Sequence, residues 1–399
     1  MLSICCAIYV EAKIGGYLCL CVGLYKGCCS CHVLWFLLEI FILLFGLLLF
    51  MLEGMRVLEF AQFYIGPFCT QILSDLGAEV IKVEPPFGEP LRFYDAVFAA
   101  FNRNKKSVVI DLKSEKGREK FMDLARSVDV IVEGFRPGVA KRLGVDYESV
   151  RKVNSSIIYC SISGFGQDSE LRDLPVHDIN VLSFAGVCRL TELKVGRPED
   201  PNVQLSDFAA AVYAAISILA AYIRKLKTGE GTYIDLSMLD SVYAAIPAHT
   251  AHILNGLGNI RDFVENPGYG IYMTRDGYVS LGVLGEPHFW KKLCEALQLG
   301  YGDLGYRERM ERGEEIREAI QEKLKDMDTR EVFELLRKVG VPVGVVNSVE
   351  EGAKLVEERG IIGEAEYKGK VYRCVSFPAK FSNYVVKSKG KVPKLGESL

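Results

Sequence analysis

The stretch MRVLEFAQFYIGPFCTQILSDLGAEVIKVEPP, beginning at Met55, constrains the fold more than any other part of the chain. Arg56–Phe60 alternates as a strand does. Pro67 suits a first helical turn, where its missing N–H removes no hydrogen bond, and Gly77 stops the helical spacing of FCTQILSDL. AEVIKVE reads as a second strand. Further strands are expected at SVVIDL, VDVIVEGF and SIIYCSISGFG, with helices at KGREKFMDLARS and GVAKRLGV between them. Strands alternating with helices imply an α/β fold with a parallel, doubly wound sheet.

Such sheets bind ligands at the carboxyl ends of their strands. A nicotinamide cofactor would call for G-x-G-x-x-G after the first strand, and AQFYIGPF has a single Gly. Glu84 stands where a ribose-binding acid would, but without that loop it does not restore the match. A formal net charge of −3 and the lack of a basic stripe exclude nucleic acid as an expected partner.

Residues 1–54 differ from the rest. Seven of the twelve Cys lie in Met1–His32, and Val33–Leu52 is an apolar run long enough to span a bilayer, interrupted by Glu39. A membrane anchor, a signal peptide and a translated upstream region compete. The last is the favoured reading, with the start at Met51 or Met55, because a complete domain begins at MRVLEF. The protein is then expected in the cytoplasm, and at a membrane only if the leader is expressed. The other five Cys read as buried thiols in a reducing compartment, with no metal site.

Downstream, LSDFAAAVYAAISILAAYIRKLKTGEG reads as a core or intersubunit helix, capped by Ser206 or Asp207 and closed by Gly229. From about Val264 the pattern turns to a hairpin with the turn RDG, followed by three helices. The expected division is a large domain over 55–235, a linker and small α/β domain over 236–340, and a segment over 341–399 that returns to the large domain.

Between the strand SIIYCSISGFG and the long Ala-rich helix stands LPVHDINVLSFAGV. Spacing alone makes Asp178 the N-cap of a helix. It leaves His177 unexplained, in a chain with five His. The stretches GPFCTQILSDLGAEVIKVEPP, NRNKKSVVIDLKSEKGREKF, DVIVEGFRPGVAKRLGV, IIYCSISGFGQ, TGEGTYIDLSMLDS and GVPVGVVNSVEE carry a further signal. From Met55 to about Ser382 the chain resembles the CaiB/BaiF-type, or family III, CoA-transferases and their relatives, the α-methylacyl-CoA racemases. The resemblance implies a Rossmann-like large domain, a smaller α/β domain, an interlocked homodimer, an acyl-CoA substrate and no cofactor.

Two chemistries compete within that resemblance. In the transferases the aspartate matching Asp178 attacks the thioester and becomes acylated. In the racemases the dipeptide is His-Asp, a second aspartate follows, and a Glu-Pro pair precedes an aromatic. Here those are HDIN, Asp207 (thirty residues after His177) and GEPHFW, which contains Glu286; LGVLGEP lacks a transferase's run of glycines. The expected activity is therefore inversion of the α-carbon of 2-methylacyl-CoA thioesters, with CoA transfer through acyl-Asp178 as the alternative. His177 and Asp207 would exchange the proton from opposite faces. Glu286 would set the tautomer of His177. The turn holding Asp178 and Asn180 would face the enolate oxygen. Asp207 is pulled two ways: a helix N-terminus favours its charge, and burial opposes it.

For the CoA moiety the resemblance points to strand ends: Ile110, Asp111, Leu112 and Lys113; Gly134, Phe135 and Arg136; and Arg142. Arg103, Lys105 and Lys106 in NRNKKS are further candidates for phosphate. Pro85 replaces an arginine of the racemases, with Arg92 or Lys82 as possible substitutes.

Overall fold

The computed structural model describes residues 8–14, 17–23 and 50–398. Residues 33–49, most of the apolar run, lie outside the described residues. Within the leader, Ile8–Ile14 pairs antiparallel with Tyr17–Gly23.

Six parallel strands form the main sheet: β1 (Arg56–Phe60), β2 (Glu79–Glu84), β3 (Lys106–Val109), β4 (Val130–Glu133), β5 (Ile158–Ser163) and β6 (Thr232–Ser237). Their order is β3-β2-β1-β4-β5-β6. The chain winds outward in one direction from β1 and then in the other from β4, leaving a crevice between the carboxyl ends of these two strands. Helices cover both faces, so β4 and β5 are buried at every residue. The turn from β1 into helix α1 (Ile65–Asp75) is tight. A Cβ at Gly66 would lie 2.1 Å from that of Ala61, so only glycine fits.

Helices α2 (Asp95–Asn102), α3 (Glu115–Ala125) and α4 (Val139–Leu143) continue the alternation. The loop after β5 leads to α5 (Asp178–Phe184), and then to the long α6 (Leu205–Thr228) and to α7 (Met238–Ala245). Among the described residues, α6 is the one helix long and apolar enough to cross a membrane. Its Ala210, Ala211, Ala214, Ala215 and Ile218 share a core cluster with residues of the sheet, where small side chains permit close approach. At its far end Lys225 pairs with Asp129 at 2.8 Å.

The expected hairpin is present as β7 (Tyr269–Met273) and β8 (Tyr278–Gly282), with Met273 opposite Tyr278. Helices α8 (Pro287–Ala296), α9 (Gly313–Leu324) and α10 (Thr329–Val339) pack on this sheet, and β9 (Val343–Val345) completes it. Beyond it lie β10 (Ile362–Tyr367), β11 (Lys370–Val375) and β12 (Lys389–Lys391). Ala365, Tyr367 and Cys374 pack on Phe98 and Ala99 of α2. Asn104 N–H donates to the Lys391 carbonyl at 2.8 Å, and Gly396 N–H to Ser107 Oγ at 3.0 Å. The end of the chain thus closes on the edge of the main sheet.

Candidate active site

The crevice at the carboxyl ends of β1 and β4 opens into a cleft of about 810 Å³. Gln62, Phe63 and Tyr64 line it from the β1–α1 turn, and Gly134, Phe135 and Arg136 from the loop after β4. Arg142 of α4, Ser163 at the end of β5, Arg172, Asp173 and His177 of the loop after β5, and Asp207 of α6 add further polar lining. Of the residues proposed for CoA, Gly134, Phe135, Arg136 and Arg142 therefore share one cleft with the candidate acid–base pair.

His177 occupies the N-cap position of α5 with extended backbone. Its N–H donates to Asn180 Oδ1 at 3.0 Å, so Asn180 fixes the turn. The His177 ring is exposed, edge-on to the ring of Phe63 at 6.1 Å.

Asp178 does not cap its own helix, as its spacing suggested. Its Oδ1 accepts the Ser206 hydroxyl at 2.6 Å, the Ser206 N–H at 2.8 Å and the Asp207 N–H at 3.1 Å. These donors sit in the first turn of α6. Neither Ser206 nor Asp207 caps that helix; a carboxylate from α5 does so. The free N–H groups and the helix dipole favour negative charge there. All three donors go to Oδ1 and none of them to Oδ2.

Asp207 is pushed up to about 7, first by burial and then by the neighbouring Asp178 carboxylate. Between the two effects weighed from the sequence, burial prevails, because the Asp207 side chain caps no N–H group. Tyr64 was missed by sequence reasoning. Its hydroxyl is also raised, by burial and then by the charges of Asp207 and Asp178.

The other candidate residues are engaged elsewhere within the protomer. Glu286 Oε2 accepts Leu284 N–H at 3.0 Å, and no hydrogen bond or ion pair joins Glu286 to His177 within the protomer among the described residues. Arg103 is 1% exposed, paired with Asp75 and donating to the Ala100 carbonyl at 2.7 Å. Asp75 also takes the Phe377 N–H at 2.9 Å, so the Arg103–Asp75 pair tethers the C-terminal segment. Lys106 is exposed but pairs with Glu79 at 2.8 Å. Arg92 forks onto Glu84 at 2.6 and 2.7 Å. Ile110 is buried, Asp111 Oδ1 accepts Lys113 N–H at 3.0 Å, and residues 110–113, Leu112 included, lie at the end of β3 outside the cleft lining.

Lys105 and Lys82 belong to a buried ionic lattice beneath the β1–α1 turn. Lys82 Nζ lies 2.5 Å from both Glu59 Oε1 and Glu89 Oε2, and Lys105 Nζ lies 2.7 Å from Glu59 Oε2. Burial alone would raise Glu59, but Lys105 and Lys82 hold it down at about 2. Burial lowers Lys105 to about 8 despite Glu59. The signal was present in the sequence: VLEF and VIKVE put charges into strands that a doubly covered sheet must bury.

The model of "CoA-transferase family III" matches residues 52–398. The chain belongs to that family. It is 34% identical to the succinate–glutarate CoA-transferase of Agrobacterium fabrum, over 87% of this chain and 93% of that one. It is 32% identical to the acetyl-CoA:oxalate CoA-transferase of Acetobacter aceti, over 76% and 82% of the two. Among solved structures, a CaiB/BaiF family protein from Brucella suis superposes with a TM-score of 0.76 at 28% identity, covering 87% of this chain and 96% of that one. The family III assignment makes the protein an enzyme of CoA-thioester chemistry. The mixed α/β architecture with a six-stranded parallel sheet is that of the CaiB/BaiF structures. The named relatives are CoA-transferases, so the racemase expectation drawn from HDIN, Asp207 and Glu286 gains no support from them.

Proposed function

We propose that this family III enzyme moves CoA between carboxylic acids, with Asp178 as the nucleophile. The observation that carries this reading is the one-sided fixation of the Asp178 carboxylate. Three donors fix Oδ1 and leave Oδ2 as the oxygen to attack. Oδ2 adds to the thioester carbonyl, the C–S bond breaks, CoA departs as thiolate, and an acyl-aspartyl anhydride remains. The thiolate then attacks the aspartyl carbonyl, which releases the donor acid and leaves Asp178 as its CoA thioester. An acceptor carboxylate runs the same two steps in reverse.

Arg136, Arg142 and Arg172 supply positive charge along the cleft for phosphates and carboxylates. The succinate, glutarate and oxalate in the relatives' names support a dicarboxylic acid as co-substrate. The reading includes a homodimer, supported by the outer face of α6, where Phe208, Ile216, Ile223 and Leu226 are exposed. It also includes a cytoplasmic setting and no bound cofactor; the five buried thiols suit a reducing compartment.

One observation favours the second reading, racemisation: His177 and Asp207 line the same cleft, and Asp207 sits at about 7, where it can hold or release a proton. A single incubation separates the two. Enzyme, a 2-methylacyl-CoA and succinate in deuterated buffer are followed by NMR, with hydroxylamine added to a parallel sample. Transfer gives succinyl-CoA and a hydroxamate at Asp178, with the α-proton retained. Loss of the α-proton signal with unmodified protein overturns the transferase reading.

A further inference from the structure

Phe63 is the cleft residue whose backbone is least expected. Its φ is +64°, in the left-handed region that a bulky side chain rarely enters. Such a residue persists where its surroundings hold it, and often at a functional site. The surroundings here are the buried ionic lattice. Glu89 Oε1 accepts the Phe63 N–H at 3.0 Å. Lys82 donates to the Ala61 carbonyl at 3.1 Å, and Lys105 to the Pro67 carbonyl at 2.9 Å. The lattice therefore grips the turn before, at and after Phe63. Glu89 is 2% exposed and is itself held by Lys82, so its carboxylate has little freedom to follow a moving turn. The Phe63 side chain, by contrast, is nearly half exposed and stands against His177, the residue next to Asp178. Burying four charges to hold an unburied ring in a strained backbone form gains nothing for the core. The strain is spent at the cleft.

We propose that Glu89 is a positioning residue that holds the Phe63 ring beside His177, the neighbour of the reacting Asp178, where the ring excludes water and sets the partition between CoA transfer and hydrolysis. The inference rests on the transferase reading. An acyl-aspartyl anhydride or an aspartyl thioester at Asp178 reacts with water as readily as with an acceptor acid unless water is kept out. In the hydrolytic branch, after the donor acid has left, water adds to the aspartyl thioester carbonyl, the C–S bond breaks, and free CoA thiol and the Asp178 carboxylate result. In the transfer branch the acceptor carboxylate adds to that same carbonyl, CoA leaves as thiolate, and the thiolate attacks the acceptor carbonyl of the resulting anhydride, which frees Asp178 and retains CoA as a thioester. A ring fixed beside His177 discriminates between them because the acceptor fills the cleft below it, whereas water must pass it.

The test uses the full chain, with succinyl-CoA as donor and glutarate as acceptor, and measures free thiol and glutaryl-CoA in the same reaction. Phe63→Ala leaves the lattice intact. Glu89→Asp keeps the charge beside Lys82 but is one methylene too short to reach Phe63 N–H as well. Each variant is expected to raise the ratio of hydrolysis to transfer by at least about tenfold. The double variant should be no worse than Phe63→Ala alone, because Glu89 acts through Phe63. A wild-type ratio in either folded single variant, or additive effects in the double, overturns the proposal. If Glu89→Asp does not fold, Phe63→Gly replaces it: glycine takes the left-handed form without Glu89, so the high ratio must then follow from loss of the ring alone, and a wild-type ratio overturns the proposal. A wild-type enzyme that transfers no CoA at all overturns the transferase reading instead.

Discussion

The carboxylate of Asp178 accepts the hydroxyl of Ser206 at 2.6 Å, so the side chain at the start of α5 supplies the cap at the start of α6. Twenty-eight residues separate the two in the chain. One carboxylate thereby closes a helix end, and under the proposed transfer reaction its second oxygen has the further duty of attacking substrate.

Those duties separate by mutation. Asp178→Ala is expected to abolish transfer and any hydroxamate trapped by hydroxylamine, and to cost about 1–2 kcal/mol as a lost cap. Ser206→Ala removes one donor to Oδ1, costs about 1 kcal/mol and keeps the trapped species at a reduced rate. Urea unfolding of the two variants with mass spectrometry of the trapped protein checks both. A Ser206→Ala enzyme as inactive as Asp178→Ala would make the attacking oxygen depend on the cap itself.

Asp207 should give the fold a pH signature. Its carboxyl rises from the ordinary 3.8 to about 7 on folding, through burial and then Asp178. The folded state therefore binds more protons than the unfolded state between these values. Its favourable contribution is present below the unfolded value and is lost as pH rises through about 7. Asp207→Asn removes the penalty of an ionised, buried acid. The variant should be more stable than wild type at pH 8, on the order of 2 kcal/mol, and little changed at pH 4. Unfolding curves at the two pH values test this, and an equal effect at both would place Asp207 in a well-solvated position.

The buried lattice should behave as a unit. Glu59→Gln leaves Lys105 and Lys82 facing a neutral group in the interior and is expected to cost about 3–5 kcal/mol, the scale for breaking a buried pair from one side. Lys106→Ala, which removes an exposed partner of Glu79, should cost under about 1 kcal/mol. Denaturant midpoints at constant slope measure both. Similar losses in the two variants would mean that the lattice is hydrated in solution.

Residues before Met51 should be dispensable for folding. Leu52 packs on the core and its N–H donates to the Leu76 carbonyl at 3.0 Å, while Met55 is fully buried. A chain beginning at Met51 should match the full chain in solubility and activity. One beginning at Met55 should lose about 1–2 kcal/mol with the Leu52 side chain. Aggregation of the Met51 chain outside detergent would show that the leader is needed.

Much of the main sheet was legible in the order of residues. Strand and helix periods differ, Gly77 and Pro67 act on their own neighbours, and RDG turns a hairpin locally, so such features survive without knowledge of the partner element. The cleft was legible in part for the same reason. Phe135 and Arg136 follow a strand end, and a strand end in an open parallel sheet is the mouth of its crevice.

What the sequence by itself determined, then, was the winding of the sheet and the strand-end edge at which the cleft opens. Only the tertiary structure decided the partners of the charges. Arg103, Lys82 and Lys105 look in the sequence like cations ready for phosphate, yet each is buried against a carboxylate from another element. Asp178 looks like the cap of the helix it begins, yet its donors come from α6. The physical reason is the same throughout. Local periodicity depends on backbone geometry within a few residues, whereas the charge state and task of an ionisable group depend on burial and on counter-charges brought near by the fold.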